Sequence, residues 1–177
     1  MRLLPNRKHR TGTAAVEFAV VLTFILAPTL IGVWEVGRLV QVQQIVSNSA
    51  REGARLAAQA VTIGSDGSRT QIQTSAGTPN VTRVVYQYLV LNGLSGLQPS
   101  DVTTTFQFLT GSQAGNTNAD PYLGSKGDQF QVTVTIPYSK VGWTTIGLVN
   151  PQTISFTVNW TMLVDDPFTI NSALPSW

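Results

Sequence analysis

The segment "RTGTAAVEFAVVLTFILAPTLIGVWEVGR", residues 10 to 38, decides how the rest of the chain is read. From Phe18 to Trp34 it carries no charge. Roughly 17 residues at about 1.5 Å each reach about 25 Å, slightly less than a hydrocarbon core of about 30 Å. Thr13–Val16 before the run and Val36–Val40 after it close the gap. The sequence therefore predicts a transmembrane helix over 13–36. The run is longer than the apolar core of an ordinary signal peptide, and no small-x-small cleavage site follows it directly, so the helix is expected to be retained. Trp34 falls where an interfacial aromatic belongs.

Outside this helix, charge is sparse. The 177-residue chain is 11 % charged, against roughly a quarter in most soluble domains. Of its eleven basic residues, four (Arg2, Arg7, Lys8 and Arg10) precede the apolar run, leaving seven against nine acidic ones. The positive charge is thus a topology signal that holds the N-terminus in the cytoplasm and sends the C-terminal part outward. The remainder has no basic excess to suggest a nucleic-acid partner. There is no cysteine, which excludes disulfides and thiolate metal sites.

Two residues stand out against this background. Glu17 places a carboxylate inside the apolar helix, where an isolated charge is costly. Gly12 lies five positions before it, at the end of the basic leader. Cleavage after Gly12 would make Thr13 the first residue and Glu17 the fifth, so that an α-amine and a carboxylate of opposite charge lie about one helical turn apart. The Glu17 of one subunit would then neutralise the α-amine of a neighbour and offset the desolvation of both. A plainer reading is that Glu17, close to the helix start, reaches the headgroups and complements the helix dipole. Ala15, Ala19, Thr23 and Ala27 form a small-residue stripe on which another helix could pack closely. Pro28 removes one backbone hydrogen bond and should kink or loosen the helix.

Beyond the span, Leu39, Val42, Val46, Ala50, Gly53, Ala57 and Ala60 recur at three- and four-residue steps, one apolar stripe of an amphipathic helix over 37–61. Arg38, Arg51, Glu52 and Arg55 flank it. No proline interrupts Trp34–Ala60, so a single helix is expected to run from the membrane into an exported head at 62–177.

The basic leader, Gly12 and Glu17 together resemble the processing signal of type IV prepilins. More specifically, "GTAAVEFAVVL" followed by "WEVGRLVQVQQIVSNSAREGARLAA" resembles the TadE family of minor pilins or pseudopilins of the tight-adherence (Tad/Flp) system. The residues that carry the resemblance are Gly12, Glu17, Phe18, Glu35, Gly37, Arg38, Arg51, Glu52, Gly53 and Arg55, all within about the first 60 positions. The resemblance implies a single-pass protein of the bacterial inner membrane with a periplasmic head. It further implies a prepilin peptidase acting between Gly12 and Thr13, and the major Flp-type pilin, other minor pilins, the assembly platform proteins and the lipid bilayer as partners. Thr13 departs from the alanine or similar small residue expected as the first mature residue, though it is itself small.

In the head, "TIGSDGSRTQIQTSAGTPN" (62–80) reads as a loop with a short helical turn. Val81, Val84, Val85, Tyr88 and Leu89 predict a helix over about 80–93, capped by Asn80 and stopped by Gly93. Three alternating runs follow, on Val102–Phe108, Phe130–Tyr138 and Ile154–Met162; each has one buried and one wet face, as in an antiparallel sheet. The expected fold is α+β: a long pilin-like N-terminal helix and a second helix packed on a three- to four-stranded antiparallel sheet. Two connections draw notice. The polar stretch at 110–127 is longer than most loops and reads as either flexible or a contact surface. The stretch at 140–150, "KVGWTTIGLVN", reads as a loop tucked under the sheet edge or as a tip that touches membrane or subunit.

Catalytic groups are scarce. The one histidine, His9, is in the leader, and the acidic groupings Asp120–Asp128 and Asp165–Asp166 read as solvated turns, far short of the six or so oxygens of a calcium site. Neither a cofactor nor enzymatic activity is expected. The rival to a pilin-type component is a membrane-anchored binding module of the cell envelope with an intact N-terminus.

Overall fold

The structure is a computed structural model, and it describes residues 10–63, 67–117, 119–142 and 151–163. The fold is α+β, with a long N-terminal helix, a second helix and two small antiparallel sheets. The chain divides into two compact units, Met1–Gln41 with Gly142–Asn150, and Val42–Val141 with Pro151–Trp177.

The first unit is dominated by helix. α1 covers Arg10–Val21, a π turn follows at Leu22–Leu26, and α2 continues over Ala27–Ala57. The wide turn has a local cause. Pro28 has no N–H to give to the carbonyl four residues before it, and the ladder slips: the Ala27 N–H donates to the Leu22 carbonyl, five residues back. The loosening expected of Pro28 thus takes the form of one π turn. Threonine hydroxyls add bonds on either side, Thr23 Oγ1 to the Ala19 carbonyl at 2.9 Å and Thr29 Oγ1 to the Ile25 carbonyl at 2.7 Å. With no water in a bilayer core, such internal satisfaction lets polar side chains sit in a spanning helix.

The second unit begins on α2. Val42, Val46, Ala50, Ala54 and Ala57 are fully buried, so the apolar stripe read from the sequence is the face that packs. α2 ends at Ala57, short of the predicted 60 or 61, although an alanine-rich run has no intrinsic reason to stop. The last turn tightens, Ala60 takes φ +56, and the carbonyls of Ala58 and Ala60 accept from the amides of Leu163 and Ile72 at 2.8 Å each. Long-range partners for these carbonyls replace the next helical turn.

Directly after this turn, β1 (Val61–Ile63) pairs antiparallel with β2 (Arg69–Gln71). A small hairpin therefore stands where the sequence predicts only loop; strands of three residues are too short to show a period. α3 spans Val81–Leu91 and starts on Asn80, whose Oδ1 accepts from the Arg83 N–H at 2.7 Å. Gly93, at φ +96, follows its C-terminal end, as expected of the stop residue.

The main sheet has the order β3-β4-β5, with β3 at Thr103–Phe108, β4 at Gln129–Pro137 and β5 at Thr153–Thr161, all neighbours antiparallel. Its inner face carries Phe106, Phe108, Phe130, Val132, Val134 and Ile136, each at most 1 % exposed. Phe106 meets Phe108 edge-on at 4.8 Å and Phe130 at 5.0 Å between ring centroids, the spacing at which aromatic pairs attract. The outer face is a ladder of uncharged polar residues. Thr133 bonds Thr157 at 2.7 Å, Thr135 bonds Ser155 at 2.9 Å, and Gln131 Nε2 donates to Gln107 Oε1 at 2.6 Å.

The long connection between β3 and β4 is ordered by its own backbone. The Gly115 N–H donates to the Phe108 carbonyl, the Tyr122 N–H donates to the Ile72 carbonyl, and a short 3-10 turn forms at Pro121–Leu123. Asp120 and Asp128 are structural: their carboxylates accept from the Thr74 and Ser125 N–H groups, both at 2.9 Å. Asp165–Asp166, the leader up to His9 and the apolar part of the 140–150 connection lie outside the described residues.

Candidate functional site

The candidate site is the N-terminal helix, and its most telling property is what it leaves uncovered. Val16, Phe18, Phe24, Ile25, Leu30, Val33 and Trp34 are between 60 % and 74 % exposed. A soluble protein does not leave so many large apolar side chains in water along one helix. The helix over Gly12–Ala57 contains a stretch long and apolar enough to cross a membrane, with none of that stretch buried within the chain.

Glu17 is exposed on α1, one turn beyond Thr13. An added Cβ at Gly12 would meet nothing within 4 Å, so the Gly12–Thr13 bond is sterically open. That bond lies within α1, whose described residues run from Arg10 to Val21. Ala15, Ala19, Thr23 and Ala27 are likewise exposed, with no other element among the described residues covering them.

Further along the helix the expected residues separate into two kinds. Glu35 and Arg38, three residues apart and so on one face, are only 5 % and 8 % exposed, and Arg38 Nη1 donates to Gln41 Oε1 at 3.1 Å. Charged side chains reach such burial only when their polar atoms are satisfied. Gly37, between them, faces open space. Gly53 is different: it is where α2 touches α3 and the sheet, with no room for a side chain. Arg51 and Arg55 are exposed, and Arg55 meets Glu52 at 3.8 Å, a surface pair of small energetic weight. The sequence pattern thus mixes a packing residue, Gly53, with solvent-facing charges.

A family model described as TadE-like protein matches residues 12–55. The match starts at Gly12 and ends at Arg55, so it spans all of the positions on which the resemblance rests. No curated protein and no solved structure matches the chain. The TadE-like segment and the exposed apolar helix together fit a membrane-anchored component of a Tad-type pilus.

Proposed function

We propose that this protein is a minor pilin or pseudopilin of a Tad/Flp-type pilus, a structural component and not an enzyme. In this reading it sits in the bacterial inner membrane by one helix, with its N-terminus in the cytoplasm and its head outside. A prepilin peptidase removes the leader after Gly12, and the freed helix then associates with the major Flp-type pilin, other minor pilins and the platform proteins that assemble them. The observation that carries the reading is the TadE-like segment falling on a helix whose apolar surface is exposed, uncovered among the described residues.

A second reading, an envelope module anchored by an unprocessed helix, draws on the Gly12–Thr13 bond lying within the helix α1. Gene deletion in a strain with a working Tad-type apparatus separates the two. Loss of surface pili, restored by the wild-type gene, is the outcome expected of a pilus component. Normal piliation in the deletion strain would leave the envelope module as the better account.

A further inference from the structure

β5 is an edge strand without the usual safeguards. Among the described residues it pairs only with β4, and that pairing runs unbroken from Thr153 to Thr161. Natural edges are blunted by lysine, proline, bulges or short length. β5 has nine residues and no bulge, and the whole stretch from Gln152 to Leu163 contains neither charge nor proline.

Its inner face is also unfinished. On β4, Val132, Val134 and Ile136 are 0 % exposed, whereas Phe156 and Val158 on β5 are half-buried and Trp160 is 38 % exposed. The apolar layer thus runs past its cover toward this edge. The opposite outer strand shows no such gap, with Phe106 and Phe108 at 1 % and 0 %.

The direction of the free backbone groups follows from the bonds at the ends of β5. Tyr138 N–H donates to the Gln152 carbonyl and Met162 N–H donates to the Asp128 carbonyl. Backbone groups of successive residues in an antiparallel ladder point alternately to either side. Even-numbered residues of β5 therefore face β4, and the N–H and C=O groups of Thr153, Ser155, Thr157, Asn159 and Thr161 face outward.

We propose that this edge docks a second copy of the same chain, two β5 strands pairing antiparallel about a two-fold axis through Thr157. The sequence of β5 is complementary to itself in this register. Thr157 meets Thr157, Ser155 meets Asn159 and Thr153 meets Thr161, so every outward backbone group gains a partner. On the inner face Phe156 falls beside Val158 and Ile154 beside Trp160, the aromatic–aliphatic cross-strand pairs that stabilise sheets. A shift of register by two residues leaves outward groups unpaired at both ends. Because the strand is uncharged, two copies meet no repulsion, and the shared surface is isologous, as a two-fold interface requires. The two main sheets become one, and the half-covered apolar row is enclosed by its counterpart.

The chain has no cysteine, which makes a single introduced thiol a clean reporter. Residues in a hydrogen-bonded antiparallel pair have Cα atoms about 5.5 Å apart, within disulfide range. In the full chain held in detergent micelles, Thr157→Cys should form a disulfide-linked dimer on mild oxidation. Ser155→Cys should not, because its own counterpart lies four residues away, about 13 Å along the strand. Mixing Ser155→Cys with Asn159→Cys should restore the crosslink. Thr157→Lys should lower the dimer fraction in sedimentation at least severalfold, and mixing it with Thr157→Asp should recover it; all these positions lie on the exposed face, where the changes at 155 and 157 forfeit only solvent-exposed hydroxyl bonds to Thr135 and Thr133. Equal crosslinking at 155 and 157 would assign association to the membrane helix and overturn the proposal. So would a Thr157→Cys chain that remains monomeric, or one that crosslinks in cells only to a different protein.

Discussion

Gly53 on α2 faces Val85 on α3 so closely that a Cβ added to the glycine would lie 2.6 Å from Val85 Cγ2 and 3.2 Å from Val81 Cγ1. Val132 of β4 lies just behind, at 4.0 Å. Both α3 valines are fully buried and β-branched, so neither can rotate away freely. The missing side chain at Gly53 is what lets α2 approach α3 this closely.

The opposing magnitudes decide the sign for Gly53→Ala. Replacing a mid-helix glycine gains up to about 1 kcal/mol of helix propensity, whereas overpacking a filled core costs about 1–3 kcal/mol. We expect net destabilisation of about 1 kcal/mol, read as a lower urea midpoint for the head. Gly53→Ala combined with Val85→Ala should lose less than the two single changes together, by at least about 0.5 kcal/mol. Additive losses would mean that the close approach is not what Gly53 provides.

Asn80 offers a second stability test. Its Oδ1 accepts from Arg83 N–H and its Nδ2 donates to the Gly77 carbonyl, both at 2.7 Å, and it is 7 % exposed. Asn80→Ala removes both bonds and should cost about 1–2 kcal/mol, in the upper part of the range for a lost N-cap. Asn80→Asp keeps the acceptor and adds a favourable charge at the helix start, losing only the bond to Gly77. Thermal unfolding should rank wild type first, the aspartate variant second and the alanine variant last. An aspartate variant as unstable as the alanine one would assign the stabilisation to the Gly77 bond instead.

These elements show how far the sequence carries. α3, its cap and the alternating strands are legible because each buries one face, and burial imposes a period on the residues. The end of α2 is not legible, since Ala58 and Ala60 are good helix formers whose carbonyls are claimed by Leu163 and Ile72 from far along the chain. β1 and β2 are too short for any period to register. Alternation also says which way a side chain points, not whether anything covers it: Phe156, Val158 and Trp160 alternate as cleanly as Val132, Val134 and Ile136, yet only the β4 set is enclosed. Gly12 and Glu17 are legible as spacing alone. Among the described residues no other element covers Glu17, and an added Cβ at Gly12 meets nothing within 4 Å, so packing within the chain gives no second signal for either.

In the proposed reading, the molecule that approaches Gly12 is a peptidase. Coexpression with a cognate prepilin peptidase should shorten the chain by its first 12 residues and leave Thr13 at the N-terminus. Gly12→Val should block the step. Gly12 faces open space, so a valine there leaves the chain's own packing intact, and its branched side chain would obstruct only an enzyme that must approach the backbone closely. Intact-mass measurement on membranes from both strains reads the result directly. Efficient processing of the valine variant would remove Gly12 from the recognition site.

Glu17 should act one step later. Glu17→Gln takes a charge out of the apolar segment, so insertion should be as good as in wild type or better. Leader removal should continue, because the carboxylate is five residues from the scissile bond and is not proposed to take part in it. In the proposed assembly, the substitution would remove the partner for the α-amine of Thr13 on a neighbouring subunit and leave that amine unpaired in a medium of low dielectric. Breaking a buried pair from one side costs about 3–5 kcal/mol, enough to lower association by more than a hundredfold where the pair is fully desolvated. Crosslinking to the major pilin and filament output should therefore fall while N-terminal sequencing still reads Thr13. The controlling case is Glu17→Asp, which keeps the charge but shortens its reach and should fall between glutamine and wild type. If Glu17→Gln crosslinks and assembles like wild type, the carboxylate only reaches the headgroups near the start of α1, and the pairing between subunits does not exist.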